Sequence, residues 1–115
     1  MDKFYFVMPA YNEAENIEET VKAWYPVVAR INRDANAEAR LVIADDGSKD
    51  ETFQKMQAIA SSGEFPFFEP LTKQNGGHGQ TVLFLYRYAL NCGADYIFQT
   101  DSDGQTLPEE FAPFW

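Results

Sequence analysis

Apolar residues in this chain fall into short unbroken runs, and between the runs they recur at helical spacing. The first run, Phe4-Tyr5-Phe6-Val7-Met8, is rich in strand formers and is ended by Pro9. An uninterrupted run of this kind suits a strand buried on both faces, as in a parallel sheet. Asn12 as a cap, with Glu15 three residues on, then predicts a helix whose buried stripe is Ile17, Val21, Trp24, Val28 and Ile31. Pro26 falls inside that stripe's span and predicts a kink or a split. The polar segment from 32 to 39 reads as a connection.

The second run, Leu41-Val42-Ile43-Ala44, is cut off by Asp45-Asp46-Gly47-Ser48. Ser48 and Glu51 form a capping-box pattern ahead of a helix facing inward with Phe53, Met56 and Ala60, and Ser61-Ser62-Gly63 stops it. Phe65 to Phe68 predicts a third strand, placed at a sheet edge because of Pro66. A glycine-rich loop spans 73–79. Thr81 to Asn91 then predicts a helix burying Val82, Leu83, Tyr86 and Leu90, with Gly93 just past its end. Tyr96-Ile97-Phe98 is the fourth strand. This alternation builds an α/β domain, a mostly parallel sheet with helices on both faces. Right-handed crossovers bring every strand-to-helix loop to the carboxyl edge of the sheet, where such sheets bind ligands.

Composition narrows the partners. The chain has 115 residues, 45% of them hydrophobic, with 9 basic against 18 acidic residues and a formal net charge of −9. That length supports one core, so 1–115 is read as a single domain. The acidic balance excludes a nucleic-acid partner held by a basic patch. The single cysteine, Cys92, cannot form an internal disulfide and points to a reducing, cytoplasmic setting. No run approaches the roughly 20 apolar residues of a membrane helix, and the start is not a secretory signal. Phe111-Ala112-Pro113-Phe114-Trp115 would be a poor natural terminus, so a chain cut short, able to self-associate through that end, is expected.

Candidate chemistry lies where the topology converges. Pro9 to Glu13 follows the first strand, Asp45 to Ser48 the second, Asn75 to Gly79 the third, and Asp101-Ser102-Asp103 the fourth. Gathering Asp45, Asp46, Asp101 and Asp103 at one edge costs electrostatic repulsion unless a cation is present, and oxygen-only ligands suit Mg²⁺ or Mn²⁺. Asp45-Asp46-Gly47-Ser48 reads equally as a turn into a helix cap and as a carboxylate reaching for a base or ribose. Gly77 and Gly79 flank His78 in a loop that matches no phosphate-binding fingerprint. It is either a flexible turn or a close backbone approach to phosphate before a helix N-terminus. His78 reads as a loop residue rather than a general base, and Cys92 as a packing residue. Tyr11 either stacks on a base or covers the core.

Together these clusters resemble the family 2 glycosyltransferases, on the residues Met8-Pro9-Ala10-Tyr11-Asn12-Glu13, Ile43 to Asp50 and Phe98 to Gln105. Asn75 to Gln80, followed by a helix carrying Tyr86 to Leu90, is similar to the polyprenyl-phosphate sugar synthases of the dolichyl-phosphate mannose synthase type. The resemblance implies a GT-A fold, whose donor half is a Rossmann-like α/β sheet. It implies nucleotide contacts from Pro9, Tyr11, Glu13, Asp45 or Asp46, and Asp101, with Asp101 and Asp103 holding Mg²⁺ or Mn²⁺ against the donor diphosphate. The implied reaction is inverting transfer from a UDP- or GDP-linked sugar to an acceptor such as a polyprenyl phosphate, in a full-length protein that associates with the membrane. Family members continue past this point, so no catalytic base is assigned. The alternatives are a sugar-nucleotidyltransferase, against which the lack of a glycine- and basic-rich loop after the first strand argues, and a non-catalytic nucleotide-binding fragment.

Overall fold

A computed structural model describes residues 2–35 and 37–100. The strand and helix order is β1 (Lys3–Ala10), α1 (Ile17–Asp34), β2 (Glu38–Asp46), α2 (Thr52–Ser61), β3 (Phe68–Lys73), α3 (His78–Asn91) and β4 (Tyr96–Gln99). All strand pairs are parallel, and the sheet runs in the order β3-β2-β1-β4. Asp101, Asp103 and the apolar end from 111 to 115 lie outside the described residues.

The central strands explain the unbroken apolar runs. Successive side chains on β1 and β2 point to opposite faces, and each face is covered. Phe6, Met8, Leu41 and Ile43 pack with Ile17, Val21, Trp24, Val28, Ile31 and Met56 on the side of α1 and α2. Tyr5, Val7, Val42 and Ala44 meet Leu85 and Ala89 of α3 on the other. Phe6, Trp24 and Phe98 form an aromatic triangle with ring centroids 5.6 to 6.3 Å apart, tying α1 to both β1 and β4.

Several boundaries differ from the sequence expectation. Pro9 does not end β1 but sits within it, opposite Ala44. The carbonyl of Val7 faces β4, where it accepts the Thr100 N–H at 3.1 Å. Pro9, two residues on, turns its ring nitrogen to that same side, past the last β4 pairing at Val7 and Gln99, so no bond to β2 is lost. Pro26 neither splits nor ends α1, because it lies on the exposed face, where the Lys22 carbonyl it deprives of a partner can be hydrated. The connection after α1 is only residues 35–37. Asn32 staples it, donating to the carbonyls of Val28 and Ala39 and accepting the Ala39 N–H at 2.7 Å.

The third strand is at an edge, as expected, but runs from Phe68 to Lys73 rather than from Phe65 to Phe68. Phe65 instead meets Tyr25 of α1 edge-on, with ring centroids 5.0 Å apart. The largest correction concerns α3. It begins at His78, and its buried stripe is Thr81, Leu85 and Ala89, while Leu83 and Leu90 are exposed. The apolar residues of α3 fall on more than one face, so the spacing alone points to the wrong one. Close packing on the sheet chooses the side with the small residues Thr81 and Ala89. Its end follows the sequence: Gly93, at φ +84°, donates to the Leu90 carbonyl while Ala94 donates to that of Ala89.

The α3 correction generates a contrast. Leu85→Ala is expected to cost about 2 to 5 kcal/mol of unfolding free energy, whereas Leu83→Ala should stay within about 0.5 kcal/mol of wild type. Urea unfolding of the two variants checks it.

Candidate functional site

Three loops meet at the carboxyl edge, and hydrogen bonds rather than apolar contacts join them. Asn12 has left-handed backbone geometry, φ +53°, which an asparagine tolerates in a tight turn. Its N–H donates to Ser48 Oγ at 2.8 Å, and its side-chain oxygen accepts the Lys49 N–H at 2.9 Å. Glu13 N–H donates to Thr52 Oγ1, and Ala14 N–H to Asp50 Oδ2. Lys55 Nζ closes the seam on the Ala14 carbonyl at 2.9 Å. Neither expected cap therefore serves its helix. Asn12 and Ser48 are spent on each other's loops, α1 starts at Ile17, and Asp50 takes over at the start of α2 by accepting from Thr52.

Asp45 and Asp46 are neighbours in sequence but continue the alternation of β2, and so serve opposite faces. Asp45 is 3% exposed. Its carboxylate accepts the Ser48 N–H at 3.2 and 3.3 Å and the Thr72 hydroxyl at 3.0 Å, all from neutral groups. Asp46, 4% exposed, accepts from Lys73 Nζ at 2.9 Å and from the N–H groups of Gly76 and Gly77 at 2.9 and 3.0 Å. Asn75 Nδ2 donates to its backbone carbonyl. Burial on its own would raise the Asp46 carboxyl, but the hydrogen bonds from Gly76 and Lys73 outweigh it and hold the group below the usual carboxylate range.

The expectation of a cation concerned these two aspartates together with Asp101 and Asp103. Of the described pair, Asp46 has a cationic partner in Lys73, whereas Asp45 is met only by neutral donors. Among the described residues no group of three or more His, Cys, Asp or Glu side chains could hold a metal ion. The oxygen pair expected to do so, Asp101 and Asp103, lies outside the described residues.

The remaining expected residues differ in access. Pro9 is buried within β1, Tyr11 is 41% exposed, and Glu13 is half-buried, its carbonyl accepting the first N–H groups that lead into α1. His78 is the first residue of α3 and is exposed, as are Gly77 and Gly79. Gly77 N–H already has a partner in Asp46, so a phosphate at this loop would meet the helix start beyond it.

Sequence reasoning missed Asn12, Asp50, Thr52, Lys73 and Asn75 as the residues that lock the loops. Gly47 was a legible signal: at φ +65° it lies where side chains are disfavoured, and a Cβ there would come within 2.6 Å of Asn75 N.

Comparisons with known proteins agree with this architecture. The glycosyl transferase family 2 profile, described as "Glycosyl transferase family 2", matches residues 5–115. An undecaprenyl-phosphate 4-deoxy-4-formamido-L-arabinose transferase of Pseudomonas fluorescens is 27% identical over 104 residues, 90% of this chain and 28% of that protein. A UDP-N-acetylglucosamine–dolichyl-phosphate N-acetylglucosaminyltransferase of Methanococcus voltae is 27% identical over 94% of this chain and 44% of its own length. The chain thus spans under half the length of these curated relatives. Among solved structures, the mannosyltransferase PcManGT of Pyrobaculum calidifontis, in complex with GDP-Man and Mn²⁺, superposes with a TM-score of 0.61 at 21% identity. It covers 75% of this chain and 24% of the other, a likeness of fold.

Two outcomes follow from the site geometry. Gly47→Ala should destabilise the chain by about 1 to 3 kcal/mol, measured by chemical denaturation, because strained backbone and the encroachment on Asn75 add. Because the Asp46 carboxyl is held below its usual 3.8, its stabilisation is complete above that value and is lost only as the pH falls below it. The melting-temperature gap between wild type and Asp46→Asn should therefore be constant above about pH 5 and close under stronger acid.

Proposed function

This chain belongs to glycosyl transferase family 2, and from that premise we propose that it forms the donor-binding part of a metal-dependent, inverting glycosyltransferase. The donor is a UDP- or GDP-linked sugar, and the acceptor is a polyprenyl phosphate. One observation carries the reading: the loops after β1, β2 and β3 converge at the carboxyl edge and are locked there by side chains, leaving Tyr11 and the start of α3 exposed. A preorganised polar edge of this kind fits a nucleotide better than it fits a folding role. The acceptor class is supported by the undecaprenyl and dolichyl phosphates named in two relatives. A lipid acceptor calls for work at the cytoplasmic face of a membrane. No helix among the described residues is long and apolar enough to cross one.

The residues divide the work by position. Tyr11 offers an aromatic face to the base, and Pro9, at the end of β1, and Glu13, past the Asn12 turn, flank it as further nucleotide contacts. Asp45 has acceptor capacity beyond Ser48 and Thr72 and would take an N–H or O–H of the base or ribose. The start of α3, at His78 and Gly79, is exposed, and a helix N-terminus suits an anionic phosphate. Asp101 and Asp103 would hold Mg²⁺ or Mn²⁺. Both supply only oxygens, as such cations take, and just before them the buried Thr100 hydroxyl has no hydrogen-bond partner among the described residues. A bound cation would neutralise the diphosphate, letting an acidic edge receive an anionic donor and stabilising the leaving group. PcManGT, crystallised with GDP-Man and Mn²⁺, supports that choice of cation and donor type.

Calorimetric titration with GDP and UDP, with Mn²⁺ or with a chelator, tests the reading. Binding is expected to depend on the metal and to weaken about tenfold or more in Asp101→Asn and Asp103→Asn. Equal binding in chelator by wild type and by both variants would overturn it.

A further inference from the structure

We propose that Asp46, together with Lys73, is a positioning residue that anchors the Asn75–Gly77 turn and so sets the start of α3 at the donor edge, and that it is not itself a ligand of the nucleotide. The inference rests on the donor-site reading only for its functional consequence. The anchoring stands on geometry alone.

Asp46 faces the α3 side of the sheet, as the last member of the Val42, Ala44, Asp46 alternation. Three donors converge on its carboxylate from a single stretch of five residues: the Lys73 ammonium and the N–H groups of Gly76 and Gly77. Lys73 also donates to the Gln74 carbonyl at 2.7 Å, bracing the turn from its other side. Asn75 is held separately, through its side chain on the Asp46 carbonyl and by the close fit of its backbone over Gly47. The carboxylate and the backbone carbonyl of Asp46 are thus both engaged by this loop, with the Thr81 hydroxyl of α3 a further partner of the carboxylate.

The charge balance points the same way. A carboxylate 4% exposed is costly unless compensated, and Lys73, with a side chain 17% exposed, supplies the opposite charge at 2.9 Å. A neutral, saturated pair has little left to offer a base or ribose. Asp45, on the opposite face and contacted only by neutral donors, retains that capacity. The adjacent aspartates therefore carry different duties, one reading the ligand and the other building the platform. The glycines fit this account as well. Gly77, at φ +95°, turns the chain from its N–H contact with Asp46 into the first residue of α3.

Amide hydrogen exchange on the full chain, read at Gly76 and Gly77 alongside the core amides of β1 and β2, is the test. In Asp46→Asn and in Lys73→Met, protection at Gly76 and Gly77 should fall about tenfold or more with core protection retained, and Lys73→Arg should restore it. GDP and UDP affinities, measured with Mn²⁺, should fall together in Asp46→Asn, leaving their ratio unchanged, whereas Asp45→Asn should change the ratio. Undiminished protection at Gly76 and Gly77 in Asp46→Asn would overturn the anchoring. Retained protection with lost nucleotide affinity, or a changed GDP-to-UDP ratio in Asp46→Asn, would make Asp46 a direct ligand and overturn the proposal. If wild type binds neither nucleotide, the donor-site reading fails, while the exchange result still decides the anchoring.

Discussion

Double coverage of the two central strands is the constraint from which the site follows. Because the middles of β1 and β2 are buried on both faces, their side chains are apolar without a break from Phe4 to Ala10 and from Leu41 to Ala44. Polarity therefore begins abruptly, at Tyr11 just past β1 and at Asp45 in the last two residues of β2. The same pleat that sends Leu41 and Ile43 to one core and Val42 and Ala44 to the other sends Asp45 and Asp46 apart. A pair that reads as one acidic patch is in fact two sites back to back.

Charge at this edge is handled locally. Asp46 is matched by Lys73 and by backbone N–H groups, and Asp50 by Thr52 and Ala14. At Asp46 the loss of a partner would cost most, since its buried carboxylate would then stand uncompensated, whereas Asp50 is exposed. These bonds also rigidify loops that carry few apolar residues. The edge is thus ordered before any ligand arrives, and less ordering free energy has to be supplied on binding.

Much of this was legible in the chain. Unbroken apolar runs identified β1 and β2, helical spacing identified the buried face of α1 residue by residue, and Gly63 and Gly93 marked helix ends. The convergence of the loops after β1, β2 and β3 followed from alternation and handedness alone. What misled was context-dependent chemistry. Asn12 and Ser48 have ideal capping side chains, but each found a better partner across the loop boundary. Pro9 and Pro26 read as breakers, yet each sits where its missing N–H harms no bond that matters.

The sequence by itself determined the α/β alternation, the carboxyl edge as the place where the polar loops after β1, β2 and β3 converge, and the resemblance to the family, because these rest on local pattern and on chirality. Only the tertiary structure decided which face of α3 is buried and which aspartate serves which partner. With apolar residues on more than one face of α3, packing against Tyr5, Val7, Val42 and Ala44 made the choice. Adjacent aspartates likewise look equivalent along the chain. Lys73, Gly76 and Gly77, roughly thirty residues away, distinguish them, and that distance is closed only when β3 docks beside β2.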